Sequence, residues 1–440
     1  RAERRIRSLN SVKVVRSTTE PGSGPDRIIV NVDVEEQPTG EFSVSGGYST
    51  ADGFIGEASV GERNLLGRGH VVRAAVQYGT RARGFELSFV EPYLLGQRLA
   101  LGLDGFAKQQ TSSQYTSYTS TTIGGNVKLG FPITDAVVGQ VRYSAYQQTL
   151  KLPQQFENCN NLNPGSPWFY PTSLTGLNGQ PVIDPTTGAP FAATCYYDGE
   201  ASLAVKRELA GGPVFVSLLG YTASYNTLDN NRNPANGLLI SLNQDFADVG
   251  GDVNFFKTTV DSRLYNEFLP DIVGLWRVQG GYASGWGGQE LRMLDHFQGG
   301  PNMVRGFQPA GFGPRDITPG SNQDALGGSM FWATSLEVQT PLFFAPKDFG
   351  MRLAAYADAG QLWDYKGPQT WSEFGLIMTC PNQPQTVPCI GDSDIVRSSV
   401  GVGLIWDSPF GPLRFDVAYP ITKASYDKTQ IFRFGGGKQF

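Results

Sequence analysis

The sequence predicts an all-β protein, a sixteen-stranded antiparallel transmembrane β-barrel, on three observations. Strand-length segments alternate apolar and polar side chains over most of the 440 residues. These segments number sixteen, an even count of the kind that single-chain outer-membrane barrels have. Their connections are asymmetric, short turns alternating with long loops, as in a barrel whose two ends face different compartments.

Composition narrows the alternatives. Charged residues make up 17% and aromatics 12% of the chain, and 55 residues are glycine. Ordinary soluble domains carry roughly 25% charge, which argues against a division into about three soluble domains, as length alone would suggest. The aromatic and β-branched content excludes a disordered chain. A helical membrane protein needs ~18 or more consecutive apolar residues; the best runs here, 272–276 and 342–345, are far shorter. A mean hydropathy of −0.24 does not exclude a membrane barrel, because alternation hides its hydrophobicity. The formal charge of −5 gives no basic patch to suggest nucleic acid as a partner. With two histidines, His70 and His296, and four cysteines, no metal site and no cofactor are expected. The chain starts at Arg1 without a signal peptide, which says nothing about its compartment.

Residues 1–38 read as a separate unit, the end of a small α+β domain. Residues 1–10 are basic and helix-compatible, with Ile6 and Leu9 on one side. Residues 12–15 and 27–36 follow as strands around the turn cluster 21–25. In the second strand Ile28, Val30, Val32 and Val34 alternate with polar positions, the pattern of a half-buried strand.

The barrel occupies 39–440. Its strands are expected at 41–50, 54–64, 70–80, 83–92, 97–109, 120–131, 136–150, 212–227, 236–247, 252–268, 272–286, 328–342, 349–362, 396–407, 412–421 and 429–440. Many reach the ~9–11 residues that a tilted strand needs to cross a bilayer. Parity is the stronger sign. Across 331–340, Trp332, Leu336 and Val338 share one face, while Ser335, Glu337 and Gln339 share the other. Across 254–268, Phe256, Val260, Leu264 and Phe268 oppose Lys257, Asp261, Arg263 and Glu267. Across 396–406, Val396, Val400, Val402, Leu404 and Trp406 oppose Arg397, with Ser398 the exception on the apolar face. A charge facing lipid costs ~2–4 kcal/mol at mid-membrane, so the charges belong to the lumen. The short turns include Pro92–Leu95 and Pro132–Asp135, and the long loops are 151–211, 287–327 and 363–395.

Cys159 and Cys195 fall in the first long loop, Cys380 and Cys389 in the last. No C-x-x-C pair or zinc spacing is present, so two disulfides in an oxidising exterior are expected. Pairing within each loop closes the shortest rings, but all three connectivities remain open.

No catalytic signature occurs: neither a G-x-S-x-G elbow, nor H-E-x-x-H, nor a phosphate-binding loop. The chain is not expected to be an enzyme. The strongest local signal is the 287–327 loop, where Gly299-Gly300-Pro301-Asn302-Met303 leads into Val304-Arg305-Gly306-Phe307. Glycine after arginine permits a tight turn with positive φ, presenting Arg305 at a tip between Val304 and Phe307. The alternative is an exposed loop with a solvated arginine.

Val304-Arg305-Gly306-Phe307 resembles the loop-tip motif of the BamA family, outer-membrane insertases that assemble β-barrel proteins. The resemblance places Glu337 and Asp358 as the acidic partners of the tip arginine. It identifies 1–38 with the end of a periplasmic POTRA domain, and 432–440 with the aromatic-ended final strand of outer-membrane barrels. The stretches 36–47 and 64–69 are more similar to this family than to its secretion relatives. The cysteines, in the first and last long loops, depart from the family pattern. Physics agrees with the carried-over site: a guanidinium folded into the lumen needs a carboxylate and can bridge two.

A barrel closes by pairing its first and last strands. The first, with Glu41, Phe42, Ser43, Val44, Ser45, Gly46 and Gly47, is glycine- and serine-rich. The last holds Phe432, Phe434, Gly435, Gly436, Gly437 and the terminal Phe440. Such glycines either fit barrel curvature or weaken the seam so that it opens sideways. An open edge would template another strand through backbone hydrogen bonds. The resemblance implies folding and insertion of β-barrel proteins into the outer membrane of a Gram-negative bacterium, with the N-terminal segment in the periplasm. Its implied partners are unfolded barrel clients, periplasmic chaperones, accessory outer-membrane lipoproteins and the lipid bilayer. The runner-up is a two-partner-type secretion translocator, which would carry about two POTRA domains upstream rather than about five; a passive channel is the third reading.

Overall fold

A computed structural model describes residues 12–24, 28–36, 38–50, 53–153, 156, 201–231, 233–317, 322–342, 349–367, 390–408 and 411–436. Strands β1 (Val12–Pro21) and β2 (Ile28–Glu36) form an antiparallel pair ahead of the barrel. The barrel strands that follow are β3 (Gly40–Ser49), β4 (Gly53–Leu65), β5 (His70–Gly79), β6 (Ala82–Glu91), β7 (Ala100–Gln110), β8 (Thr119–Pro132), β9 (Val137–Lys151), β10 (Val214–Asn226), β11 (Gly237–Ala247), β12 (Phe255–Leu269) and β13 (Ile272–Gly285). Beyond the two-residue β14 (Arg315–Asp316) come β15 (Met330–Pro341) and β16 (Met351–Trp363). After the equally short β17 (Ile390–Gly391) come β18 (Arg397–Ser408), β19 (Gly411–Thr422) and β20 (Phe432–Gly436). All but β1, β2, β14 and β17 pair in turn with their neighbours, and β20 returns to β3 to close a sixteen-stranded antiparallel barrel.

The alternation read from the sequence is the alternation of the wall. Phe42, Val76, Leu87, Leu336 and Val402 point outward, the surface that faces lipid. Charges on the inner face meet partners across the lumen wall. Lys128 reaches Asp104 at 2.5 Å, and Arg142 pairs with Asp245. Ser398, the polar exception on an apolar face, pairs its hydroxyl with that of Thr422 at 2.8 Å near the long-loop end.

Two expectations change. β2 is not half-buried: Ile28, Val30 and Val32 are exposed, because no layer packs on the β1–β2 pair among the described residues. Alternation marks a face able to be buried, not one that is covered. The β7 strand starts at Ala100 rather than 97, because a tight turn at Leu94–Gly96 precedes it. The segment 1–10, the four cysteines, Gly437 and Phe440 lie outside the described residues.

The apolar core sits inside the upper barrel. The loop between β13 and β15 turns inward and packs Val304, Phe307 and Phe312 against Val216, Phe255, Phe331 and Leu362 of the wall. Each such side chain contributes about 1.5–3 kcal/mol, set against the entropy of ordering a long loop. A second cluster caps it, joining Val205 of the helix Leu203–Ala210 to Met293, Leu326 and Tyr365.

Candidate functional site: the arginine-tipped loop and the seam

The tip is built by local turns. The backbone N–H groups of Met303 and Val304 both donate to the Gly300 carbonyl, at 2.9 and 3.1 Å. Gly306 has φ +92°, and a Cβ there would lie 3.3 Å from the Ala418 carbonyl and from Pro420. Gly306→Ala is therefore expected to lower stability by about 1–2 kcal/mol, read as a lower temperature midpoint for the loss of the compact, heat-modifiable gel band. Backbone bonds then sew the tip to the connection before β20. Gln430 N–H donates to Gly306 O at 2.9 Å, and Lys428 N–H to Gly311 O at 2.8 Å.

The side chain of Arg305 enters the lumen wall. Its Nε and Nη2 donate to the Asp358 carboxylate at 2.7 and 2.6 Å, and its own backbone N–H donates to the same group at 3.0 Å. Nη1 donates to Glu337 at 2.5 Å and Nη2 to Ser335 Oγ at 2.8 Å. The guanidinium lies 3.3 Å over the Tyr356 ring. Register explains the convergence. Ser335 pairs with Asp358 and Glu337 with Tyr356 across β15–β16, so all four inward side chains meet at one level of the wall. The acids are almost wholly buried, at 3% and 1% side-chain exposure. Burial opposes the charge on Arg305, but Asp358 and Glu337 more than offset it, and its pKa is raised. The arginine is thus charged at every working pH.

A wider network holds the acids in turn. Arg414 donates to Glu337 at 2.9 Å and to Asp416 at 2.9 Å, and Gln339 donates to Glu337 at 2.8 Å. On β13, Arg277 and Gln279 donate to the Asn302 carbonyl at 3.4 and 3.1 Å. A lumenal cavity of about 310 Å³ opens beside these groups and reaches Arg433 and Gly435 near the seam. The resemblance named Glu337 and Asp358 as partners of Arg305, and both hold it. Sequence reasoning missed Ser335, Tyr356, Arg414 and Asp416, although Ser335 and Tyr356 share a face with the acids, a parity that could have flagged them.

A second arginine clamp lies above. Arg397, at the long-loop end of β18, donates to Asp427 at 3.0 Å, and both side chains are fully buried. Arg397 also donates to the carbonyls of Ser393 and Ile395 at 3.1 and 2.8 Å. It ties the loop ahead of β20 to that ahead of β18.

The cap over the tip holds a titratable pair. The backbone N–H of Lys366 donates to His296 Nε2 at 3.2 Å, so Nδ1 carries the ring proton toward Arg292 O at 2.8 Å. Burial holds His296 down at about 4. Burial pushes Asp295 up to about 6 against the pull of Arg292 and Lys257 and with the push of Glu208. Because the His296 pKa is depressed, its contribution is present above pH 6.5, the unfolded value, and is lost as pH falls toward 4. Because the Asp295 pKa is raised, its contribution is present below pH 3.8 and is lost as pH rises through 6. The two slopes oppose each other. Asp295→Asn should leave a melting midpoint that drops on acidification from 6.5 to 4; His296→Asn should leave one that drops as pH rises from 4 to 6. Parallel slopes in the two variants would refute this.

The seam is thin. Among the described residues β20 pairs with β3 only at Gly435↔Ser49 and Gly436↔Tyr48, beside the Thr50 N–H to Phe434 O bond of 3.0 Å. The neighbouring β3–β4 pair runs in register from Gly40↔Glu62 to Ser49↔Gly53. Outside, Tyr48 stacks on Phe434 at 6.0 Å and Phe434 on Phe415 at 4.6 Å. Glu41 to Gly47 thus have described partners on the β4 side alone. Phe42 and Val44 point outward among them.

Comparison with known proteins assigns this barrel to a family. The Omp85 superfamily domain matches residues 64–440. The chain belongs to the Omp85 superfamily. It is 26% identical over 409 residues to the outer membrane protein assembly factor BamA of Neorickettsia risticii, covering 93% of this chain and 46% of that protein. It is 26% identical over 371 residues to the sorting and assembly machinery component 50 homolog of Bos taurus, covering 82% of this chain and 68% of that protein. Among solved structures, BamA from Haemophilus ducreyi lacking POTRA domains 1–3 superposes with a TM-score of 0.73 at 21% identity, over 100% of this chain and 77% of that one. The fold is therefore that of a BamA-type outer-membrane barrel. This Omp85 chain spans about half the length of the BamA relatives it matches.

Proposed function

We propose that this Omp85 barrel folds and inserts β-barrel proteins into the outer membrane. The observation that carries the reading is the seam, where among the described residues β20 pairs with β3 at two positions and Glu41 to Gly47 have partners on the β4 side. At about 0.5–1.5 kcal/mol net per hydrogen bond, the pairing at two positions and one flanking bond among the described residues is worth about 2–4 kcal/mol. A client strand that enters an opened seam regains the lost bonds on β3 by strand addition. Bonds are exchanged rather than cleaved, so the reading calls for no cofactor and no covalent step. The lock on Arg305 fixes β15 and β16, a few strands from the seam, while the seam moves. The names of the relatives, an assembly factor and an assembly-machinery component, support this reading over secretion. Clients are unfolded outer-membrane barrel proteins, delivered by periplasmic chaperones. Residues 1–38 are the end of a POTRA domain, where accessory lipoproteins dock.

The test is reconstitution of the full-length protein in liposomes with a urea-unfolded small barrel client. Client folding, followed by heat-modifiable mobility, is expected to run faster than in empty liposomes. Equal rates, even with accessory lipoproteins supplied, would reject the reading.

A further inference from the structure

At the short-turn end of the barrel, the periplasmic face, two neighbouring turns end in bare leucines. Leu66, between β4 and β5, is 83% exposed, and Leu95, between β6 and β7, is 90% exposed. Both sit in the left-handed region, with φ 56° and 55°, where a β-carbon is unfavourable and glycine or asparagine is the usual choice. In water such a leucine has neither a backbone nor a burial rationale. Tyr93 and, in the β8–β9 turn, Ile133 add two more exposed apolar groups.

These turns are firmly built. Gly69 N–H donates to Asn64 Oδ1 at 2.7 Å, and Leu94 N–H to Leu99 O at 2.8 Å. The His70–Glu91 pair ties one turn to the other, and Glu91 also accepts the Tyr93 N–H at 3.1 Å. The leucines are therefore held out rather than left to wander. Each has an exposed arginine close by in sequence, Arg68 and Arg98. Neither guanidinium meets a carboxylate among the described residues. Asp135 is the one acid of the third turn and lines a groove with Arg98 and Ile133.

Two features choose the occupant. The leucines continue, past the strand ends, the outward apolar band of Val76, Leu87, Leu103 and Val127. The turn on the far side of the barrel differs: between β10 and β11 its one leucine, Leu228, is partly buried, and Asp229 accepts the N–H groups of Asn230 and Asn236 at 2.8 and 3.0 Å. Apolar tips flanked by cations at the rim of a bilayer match a surface of anionic headgroups. We propose that the β4–β5 and β6–β7 turns form a docking surface for anionic phospholipid of the periplasmic leaflet, on the β3 side of the seam. The leucines enter the headgroup boundary and the arginines take the lipid phosphates.

The test places a benzoylphenylalanine photocrosslinker at Leu66 or Leu95 in the full-length protein. The protein is reconstituted into vesicles of equal phosphatidylglycerol and phosphatidylcholine, and adducts are read by mass. Phosphatidylglycerol adducts should exceed their share at both positions and not at Asn230. An arginine near an anionic surface is worth about 1 kcal/mol, or about fivefold. The combined Arg68→Ser and Arg98→Ser changes should therefore return the adducts to the bulk lipid ratio, with the barrel still heat-modifiable. Bulk-ratio adducts in the parent, or the same enrichment at Asn230, would overturn the proposal. So would adducts to protein, which would assign these turns to a protein partner. None of these outcomes depends on whether clients are inserted.

Discussion

Arg305→Glu is expected to yield little or no folded barrel. The substitution removes the donor that Asp358 and Glu337 share and sets a third carboxylate against two that are 1% and 3% exposed. Removing one member of a buried ion pair costs about 3–5 kcal/mol, a large part of the ~5–15 kcal/mol that a domain has in total. Reversal adds repulsion to that loss. It also frees the tip, because the Asp358 carboxylate holds the backbone N–H of residue 305 as well as its side chain. Arg305→Lys should fall between: it keeps the charge but loses the fork that reaches Asp358, Glu337 and Ser335 together. The measurement is the amount and melting midpoint of the heat-modifiable band in membranes. A reversal variant as abundant and as stable as the parent would mean that the loop is held by its apolar side chains alone.

The strands were legible because most residues of a membrane strand report their side by their chemistry, and period two survives over ten or more positions despite exceptions such as Ser398. Glu337 was readable for the same reason: it is a charge among Ser335 and Gln339 on a face opposite Trp332, Leu336 and Val338. The tip was readable from Gly306, whose φ of +92° the arginine–glycine order anticipated. What parity cannot give is register. Arg414 reaches Glu337 from three strands away, across β16 and β18, and only the stagger of those strands sets the level at which it arrives. The Arg397–Asp427 clamp was hidden for a related reason: it joins a strand end to a connecting loop whose path no periodicity describes. β2 shows the converse limit, where a clean alternation of Ile28, Val30 and Val32 accompanies exposed side chains.

A disulfide across the seam should abolish client assembly and spare the barrel. Ser49 and Gly435 are paired and lie on the lumen-facing parity of their strands, which makes Ser49→Cys with Gly435→Cys the better choice. At the other position, any side chain on Gly436 would collide with Leu413, only 2.3 Å from the ideal Cβ. The oxidised form closes where, among the described residues, β3 and β20 are already joined. It should keep its heat-modifiable mobility while client folding falls to the rate in empty liposomes, and reductant should restore the rate. A second crosslink between Ser224 and Ser241, paired on β10 and β11, controls for added cysteines and for general stiffening; it should leave assembly intact. The comparison separates two accounts of the seam glycines. If they serve only curvature, both crosslinks are harmless, because neither asks the wall to part. If the seam must open for a client strand to reach Glu41 to Gly47, only the first is inhibitory. The hydrogen bonds that hold the native seam are then what a client must displace, and a covalent bond cannot be displaced by strand addition.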